Sequence, residues 1–189
     1  MCGIAGFILS NKNTLIDDNT IKIMTRELKN RGPDGEGYWA SEDKLRQFGH
    51  RRLAIIDLSE KGKQPMISST GRFIISFNGE IYNHCEIRKK INQETNYKWK
   101  SNSDTETILA SLETYGFTDT INSLQGMFVF AIIDKKEDKL YLVRDPSGEK
   151  PIYYGFSNKN FLFASELKSI IKFPLFKKKI NKEVLNYYL

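Results

Sequence analysis

Short apolar runs and alternating apolar and polar positions recur along the chain, and both patterns are typical of β-strands. Residues 4–9 form the first apolar run, which contains one glycine, and turn signals such as Asp145-Pro146-Ser147-Gly148 separate several later runs. The pattern predicts strands over residues 4–9, 38–39, 48–56, 72–77, 81–82, 127–133, 139–143, 152–154 and 161–164.

Other segments carry apolar residues three and four positions apart, which is the spacing of one helix face. Ile21, Met24 and Leu28 have this spacing in a helix that Asp17 or Asp18 can cap and that runs to about residue 30. Further helices are predicted over residues 85–91, 104–115, 165–171 and 182–189, with Ser165 as the cap of the third.

Polar residues and glycines mark several element boundaries. Ser103 and Glu106 match a capping box, in which the serine hydroxyl bonds the first turn and the glutamate reaches back, and Gly116 ends the same helix. Asn78-Gly79 suits left-handed backbone, so the dipeptide alone predicts a hairpin turn that stops the strand over 72–77. Strands outnumber helices and lie in clusters between them, which predicts an α+β fold with sheets packed face to face and helices outside.

Length and composition indicate one ordinary domain. The 189 residues are 40% apolar and 12% aromatic, enough to bury a core without metals or disulfides. Two cysteines cannot form a disulfide framework, so we expect a cytoplasmic protein. We expect no membrane partner, because no apolar stretch approaches the ~18 residues of a membrane span and the N-terminus lacks the pattern of an export signal.

The net charge of +6 comes from 29 basic and 23 acidic residues and raises the question of nucleic-acid binding. The lysines are scattered, and the only dense run is Lys177-Lys178-Lys179. Scattered lysines usually form a solvated surface, so the charge pattern predicts no nucleic-acid partner.

Cys2 carries the most distinctive chemistry in the chain. Removal of Met1, which a small following residue favours, would leave Cys2 with a thiol and a free α-amine. An α-amine has an ordinary pKa of about 7.7–8.0 and can accept a proton near neutral pH, and a cysteine thiol is intrinsically nucleophilic. A cysteine near a terminus is more often an inert small apolar residue, so position alone does not assign a function.

Cys2 and Cys85, with His50 and His84, raise the question of a zinc site. Their spacing contains no C-x₂-C or H-x₃-H pair, so no metal is predicted. We expect His50 to satisfy a hydrogen bond in the core and Cys85 to be a helix residue without a chemical role. No Ser-His-Asp arrangement competes with Cys2 as the nucleophile.

Eight short motifs occur in order along essentially the whole chain, at residues 2–6, 31–35, 49–57, 77–83, 103–106, 124–128, 144–151 and 163–168. With these motifs the sequence resembles the glutaminase domain of glutamine-hydrolysing asparagine synthetases, within the class II (N-terminal nucleophile) glutamine amidotransferases. The resemblance implies a four-layer αββα sandwich of two mostly antiparallel sheets, the N-terminal nucleophile hydrolase fold, for a glutaminase domain over residues 1–189. It also implies that Cys2 attacks the side-chain amide of glutamine and forms a γ-glutamyl thioester, while its own α-amine moves the proton.

The family's oxyanion hole matches the Asn78 side chain and the Gly79 backbone N–H. Fixed N–H donors are what a tetrahedral intermediate requires, and losing one typically costs about 10²–10³ in rate. Arg52 matches the family's arginine for the α-carboxylate of glutamine, a group that a forked guanidinium suits. The choice of Arg52 over Arg51 rests on the resemblance.

Glu80 and Asp104 match the family's pair of carboxylates for the α-ammonium of glutamine. We expect Asp104 to stay ionised, because the first turn of a helix favours negative charge. A plain capping role for Asp104 is compatible with this function.

The resemblance also implies partners outside this chain. In the family, ammonia passes to an ATP-dependent synthetase domain that makes asparagine from aspartate; ATP and Mg²⁺ are expected there and no cofactor in this domain. The sequence lacks the Gly-rich phosphate loop of that domain and stops within the predicted helix over 182–189, which favours a truncated chain or an ordinary helical C-terminus. A homodimer is a further expectation.

Alternative functions stay open at this point. Related amidotransferases pass ammonia to other carboxylates, for example on surface sugars, and the fold could also serve as a catalytically silent regulatory module. The presence of the full set of site residues argues against the silent module. Glu149 stands where the family usually carries an aliphatic residue, which would alter docking to a partner domain and leave the glutamine pocket untouched.

Overall fold

A computed structural model of the chain describes residues 1–11, 14 and 16–187. Within these residues, nine strands form two sheets. The strands are β1 (Gly3–Ile8), β2 (Gly35–Ala40), β3 (Arg46–Arg52), β4 (Met66–Ile67), β5 (Phe73–Ile81), β6 (Gly126–Asp134), β7 (Lys139–Arg144), β8 (Tyr153–Ser157) and β9 (Asn160–Ala164).

The same residues form six α-helices and one 3₁₀ turn at Glu60–Gly62. The helices are α1 (Thr20–Arg26), α2 (His84–Glu94), α3 (Asp104–Tyr115), α4 (Phe117–Ser123), α5 (Leu167–Ile171) and α6 (Lys182–Asn186). Helix α4 was not predicted, and the last two residues of the helix predicted over 182–189 lie outside the described part of the chain. None of the described helices is long and apolar enough to cross a membrane.

Hydrogen bonding arranges the strands into two antiparallel sheets. One sheet has the order β2-β3-β1-β9-β8, and the other has the order β4-β5-β6-β7. In both sheets every described neighbouring pair is antiparallel.

Three apolar clusters show how the layers stack. Ile4 of β1 and Phe163 of β9 meet Val129 of β6 in a core between the two sheets. A second cluster fills the space between the other face of the five-stranded sheet and helices α1 and α5. A third lies between the four-stranded sheet and helices α2 and α3. Because apolar side chains cover both faces of each sheet, the strands become the inner layers, and the predicted four-layer αββα arrangement is confirmed.

The predicted turn at Asn78-Gly79 is wrong. Strand β5 runs without interruption through both residues, and Asn78 pairs with Val129 while Gly79 pairs with Phe128 of β6. A glycine is required at position 79 for a different reason, because a Cβ there would collide with the carbonyl oxygen of Met127. Glycine therefore permits a close backbone approach in the sheet and does not reverse the chain.

The strand predicted over 48–56 is shorter than expected and shifted, since β3 ends at Arg52. After Arg52 the backbone leaves the sheet, and the N–H of Ala54 is satisfied by the carboxylate of Asp34 at 2.9 Å. Apolar Ile55 and Ile56 are exposed outside the sheet. The prediction extended the strand to residue 56 because these residues are apolar. The backbone hydrogen bonds show that the strand ends at Arg52.

The capping predictions are only partly correct. Ser103 caps α3 by accepting a hydrogen bond from Glu106 N at 3.2 Å. The Glu106 carboxylate bonds the N–H groups of Lys100 and Ser101, at 2.8 and 2.7 Å, instead of reaching back to Ser103. The glutamate thus fixes the segment before the helix as well as the helix start.

Two other predicted caps are absent among the described residues. The cap position of α1 is occupied by Asn19, instead of the predicted Asp17 or Asp18. Asn19 makes no side-chain capping bond. Ser165 was predicted to cap α5, but its hydroxyl accepts a hydrogen bond of 3.0 Å from Ile4 N. This bond ties the end of β9 to β1, next to Cys2.

Candidate active site

One cavity at the end of the sandwich contains all six residues predicted for the site. Its volume is about 120 Å³, and its lining includes Cys2, Arg52, Asn78, Gly79, Glu80 and Asp104. These residues come from four parts of the fold: the start of β1, the end of β3, the second half of β5 and the first turn of α3. The fold brings together residues that are up to about a hundred positions apart in the chain.

The alternation of side chains along a strand explains why two of these residues face each other. Ile4 of β1 points into the core between the sheets, so Cys2, two residues earlier, lies on the same face. Ile74 of β5 points into the same core, so Asn78, four residues later, also lies on that face. The nucleophile and the amide therefore meet at one end of the space between the sheets.

The Cys2 thiol is a free thiol held by backbone groups. Its Sγ accepts a hydrogen bond from Leu53 N at 3.3 Å and lies 3.5 Å from Leu53 O. Burial raises the pKa of the Cys2 thiol, while the Leu53 N–H, the positive N-terminus and Arg52 act to lower this pKa. Because the net shift is upward, the thiol requires a base to become a nucleophile near neutral pH.

Arg31 holds the backbone of the nucleophile. Its Nε donates to the carbonyl oxygen of Cys2 at 2.9 Å, and its Nη1 forms an ion pair with Glu166 at 3.3 Å. Residues 31–35 form one of the eight motifs, but the sequence did not predict this contact of Arg31. An arginine directly before Gly32 is the signal that the sequence offers, and it does not indicate a partner 29 positions away in the chain.

Asn78 has an unused hydrogen-bond donor in the cavity. The residue is 1% exposed, and its Nδ2 has no partner among the described residues. Buried amide donors are nearly always paired, and an unpaired one costs free energy. An unpaired donor beside a nucleophile is the arrangement that an oxyanion hole requires.

Gly79 offers a second donor by the alternation of the antiparallel ladder. The N–H groups of Phe77 and Ile81 point to the outer edge of β5, where they bond the side chains of Gln64 and Asp104. N–H groups two residues apart point to the same edge of a strand, so the Gly79 N–H points there as well. Its direction is into the cavity that Gly79 lines.

Asp104 is a buried carboxylate, 5% exposed, whose Oδ2 accepts a hydrogen bond from Ile81 N at 3.0 Å. Burial raises the pKa of Asp104 to about 6, and Glu80 adds to this rise, against the lowering effect of the backbone N–H groups of Ile81 and Thr105. At pH 7 about nine-tenths of Asp104 is still ionised. Asp104 therefore stays mostly ionised at pH 7, as expected. Its position in the first turn of α3 does not keep its pKa at the ordinary value.

The two neighbouring arginines point to different places. Arg52 lies on the same strand face as Phe48 and lines the cavity, where its guanidinium donates to the carbonyl oxygens of Asp57 and of Ser59. Arg51 points the other way and donates to Gly32 O at 2.9 Å and to Glu36 at 2.7 Å. Arg52, the arginine that the family resemblance indicates, therefore lies at the cavity, and Arg51 does not.

The histidines and the second cysteine lie apart from the cavity lining. His50 is fully buried and its Nε2 lies 2.9 Å from Phe77 O, which confirms the core hydrogen bond; burial lowers the pKa of His50 to about 4. Cys85 is exposed on α2, and its Sγ lies 3.5 Å from His84 Nε2. Among the described residues no three His, Cys, Asp or Glu side chains are grouped as metal ligands would be, and the absence of a metal stays a prediction.

Sequence comparison places the whole chain in a known family. A family model described as "Glutamine amidotransferase domain" matches residues 1–189. The chain is 39% identical to the putative asparagine synthetase [glutamine-hydrolyzing] 2 of Methanocaldococcus jannaschii, over 100% of the chain and 39% of that relative. It is 39% identical to asparagine synthetase [glutamine-hydrolyzing] 1 of Bacillus subtilis, over 100% of the chain and 29% of that relative.

The chain thus spans less than two fifths of the length of these curated relatives. It is also 34% identical to Amidase chry2 of Gibberella zeae, over 93% of the chain and 27% of that relative. Among solved structures, the glutamine phosphoribosylpyrophosphate amidotransferase of B. subtilis superposes with a TM-score of 0.76 at 19% identity, over 90% of this chain and 43% of that one. The structural likeness supports the fold.

Proposed function

Because the chain belongs to the glutamine amidotransferase domain family, we propose that it hydrolyses glutamine to glutamate and ammonia through a thioester on Cys2. The observation that carries the proposal is the meeting of a free thiol and an unpaired amide donor, on Cys2 and Asn78, in one cavity. A free thiol supplies the nucleophile, and the donor supplies a site for the negative charge that forms during attack.

Substrate recognition uses the two ends of glutamine. The α-carboxylate binds the guanidinium of Arg52, because a forked cation matches two carboxylate oxygens. The α-ammonium binds Asp104 and Glu80, two carboxylates in the lining of the same cavity. Both ends of the amino acid are then fixed, and the side-chain amide is directed at Cys2.

Attack begins when the α-amine of Cys2, freed by removal of Met1, takes the thiol proton. Sγ forms a bond to the amide carbon, and the carbonyl oxygen becomes an oxyanion that Asn78 Nδ2 and Gly79 N–H stabilise. The amine returns its proton to the leaving nitrogen, the C–N bond breaks, and ammonia departs. Water then attacks the γ-glutamyl thioester, which releases glutamate and restores the thiol.

We propose that the ammonia passes to an ATP-dependent synthetase domain in the full protein, where aspartate becomes asparagine. The names of the two asparagine synthetases described above support this acceptor, and so does their greater length. The similarity to a protein named as an amidase keeps an acceptor other than aspartate as the second candidate. ATP and Mg²⁺ would act in the synthetase domain, and a homodimer stays a prediction.

Glutamate release from glutamine tests the glutaminase proposal. The protein without Met1 is expected to release glutamate, and Cys2→Ala is expected to release none. Cys85→Ala is the matched control, because Cys85 is the other cysteine of the chain and is exposed on α2, outside the cavity lining. Absence of glutamate from the protein without Met1 would refute the proposal.

The acceptor is tested with the full-length protein, glutamine, ATP and Mg²⁺. Formation of asparagine from added aspartate is the expected result. Glutamate release without asparagine, followed by amidation of a sugar carboxylate, would favour the second candidate. Aspartate that is left unchanged while glutamate accumulates contradicts the asparagine assignment and leaves the glutaminase proposal standing.

A further inference from the structure

We propose that Gln64 is a positioning residue, which holds the oxyanion donors on β5 and the carboxylate on α3 at a fixed separation. The inference rests on the proposed glutaminase function and adds a residue to which neither the comparisons nor the motif resemblance gives a role. Gln64 lies in the loop between the 3₁₀ turn and β4, and it is 6% exposed.

The first contact of Gln64 is with the strand that carries the oxyanion donors. Its Oε1 accepts a hydrogen bond of 2.7 Å from Phe77 N, and Phe77 directly precedes Asn78. In the described part of the chain, β4 pairs with Ile74 and Ile75 and does not cover this part of the β5 edge. Gln64 therefore supplies at Phe77 the acceptor that a neighbouring strand would otherwise supply.

Hydrogen bonds at Phe77 and Ile81, on either side of Gly79, show why the acceptor that Gln64 supplies matters. His50 Nε2 bonds Phe77 O at 2.9 Å, and Asp104 Oδ2 bonds Ile81 N at 3.0 Å. Gly79 lies midway between Phe77 and Ile81, and its N–H points to the same edge. The two flanking hydrogen bonds hold the edge in place while its central N–H faces the cavity.

The second contact of Gln64 is with the helix that carries the carboxylate. Its Nε2 lies 3.2 Å from Thr105 Oγ1, and Thr105 directly follows Asp104 in the first turn of α3. One amide side chain thus touches the residue before Asn78 and the residue after Asp104. Its two ends connect the part of the cavity that stabilises the oxyanion to the part that binds the α-ammonium.

Glutamine needs this separation to be fixed. Its α-ammonium and its side-chain carbonyl are joined by a short chain, so a shift of β5 relative to α3 misplaces one end whenever the other is bound. A misplacement of about 1 Å at a catalytic centre can cost about 10²-fold in rate. Gln64 binds both elements directly and therefore resists that shift.

The two contacts can be separated by mutation. Gln64→Met keeps the length of the side chain and removes both hydrogen bonds, so we expect kcat to fall about 10²-fold and KM for glutamine to rise. Thr105→Val keeps the shape and removes only the contact with the helix. We expect this variant to raise KM about tenfold, which is the effect of about one hydrogen bond, with kcat changed less than KM.

A conservative variant provides a rescue test. Glu in place of Gln64 can accept from Phe77 N with one oxygen and bond the Thr105 hydroxyl with the other. We therefore expect Gln64→Glu to recover at least tenfold in kcat relative to Gln64→Met. A role limited to filling space would give the opposite order, because Met is apolar and suits a buried site better than a carboxylate.

The matched control is Gln47→Met. Gln47 is also 6% exposed and also uses its side chain in a hydrogen bond, from Nε2 to Lys44 O at 3.2 Å, but it lies on β3 outside the cavity lining. We expect Gln47→Met to lower the melting temperature about as much as Gln64→Met and to leave kcat and KM near the values of the parent protein.

Steady-state glutaminase assays on the full protein without Met1 distinguish the outcomes. Equal kcat and KM for Gln64→Met and Gln47→Met would overturn the inference, while glutamate release by the parent protein would still support the proposed function. No release by the parent protein would refute the proposed function instead. If Gln64→Met does not fold, Thr105→Val and Gln64→Glu decide: an unchanged KM in the former together with an inactive, folded Gln64→Glu overturns the inference.

Discussion

Asp104 accepts a hydrogen bond from the backbone N–H of Ile81 at 3.0 Å, and this bond joins the first turn of α3 to the end of β5. The carboxylate is thereby directed at the cavity from a buried position, where its charge is costly. Burial raises the pKa of Asp104 to about 6, so its charge changes within a pH range that is accessible to experiment.

We expect KM for glutamine to rise as pH falls through about 6. Protonation removes the negative charge that attracts the α-ammonium, and the carboxylate is charged only above its pKa. Steady-state kinetics between pH 5 and 8 would measure this change. Asp104→Asn should show a high KM that is independent of pH in this range, and a parent protein with a constant KM would contradict the role of Asp104.

The same carboxylate lowers stability. The pKa of Asp104 is about 6 in the folded protein and 3.8 ordinarily, so the folded state binds the proton more tightly and stability falls as pH rises between these values. Asp104→Asn removes this effect and can still accept from Ile81 N. We expect it to stabilise the protein at pH 7 by about 3 kcal/mol, measured by denaturant unfolding, with little difference below pH 4.

Asn78→Ala should reduce catalysis without reducing stability. The variant removes one oxyanion donor, so we expect kcat to fall about 10²–10³-fold with KM changed little. It also removes a buried donor that lacks a protein partner, so the melting temperature should stay the same or rise. A large loss of stability in Asn78→Ala would indicate that the amide has a structural partner and would contradict the oxyanion assignment.

The adjacent arginines provide a paired experiment. Arg52→Lys replaces a forked cation by a point charge at the cavity, so we expect KM for glutamine to rise about tenfold or more. Arg51→Lys loses the bonds to Gly32 and Glu36 on the other face of β3 and should lower the melting temperature with KM near that of the parent. Exchange of these two results would assign the carboxylate site to Arg51.

The sequence predicted the layers well because layer formation depends on repeating apolar positions. The alternation in β1 and β5 places Ile4 and Ile74 in the same core, and it also predicts that residues at even steps from them share that face. Predictions of turns from the local residue types were less reliable. Asn78-Gly79 has the composition of a turn, and only the approach of Met127 shows that the glycine serves a continuous strand.

Long-range polar contacts could not be predicted from residue patterns. Gln64 bonds Phe77 and Thr105, which lie 13 and 41 positions away, and Arg31 bonds Cys2 from 29 positions away. A glutamine in a polar loop and an arginine before a turn look like surface residues in a single sequence. Their partners are backbone groups and a hydroxyl, which leave no characteristic spacing in the chain.

The state of the N-terminus provides the last prediction, which concerns the base that activates Cys2. With Met1 attached, the nitrogen of Cys2 is an amide and cannot take a proton, while burial raises the pKa of the thiol. No histidine is among the described residues that line the cavity, and His50 is committed to Phe77 O. We therefore expect the form that retains Met1 to be about 10²–10⁴-fold less active, because it lacks a general base.

One sample can test this prediction. The protein that retains Met1, verified by mass spectrometry, is assayed for glutamate release before and after treatment with a methionine aminopeptidase. Met1 is 55% exposed, and its sulfur lies 3.7 Å from Lys150 Nζ and 3.9 Å from Arg31 Nη2, so the peptidase should reach it. Activity should increase in parallel with the loss of Met1; full turnover before treatment would show that the α-amine of Cys2 is not the base.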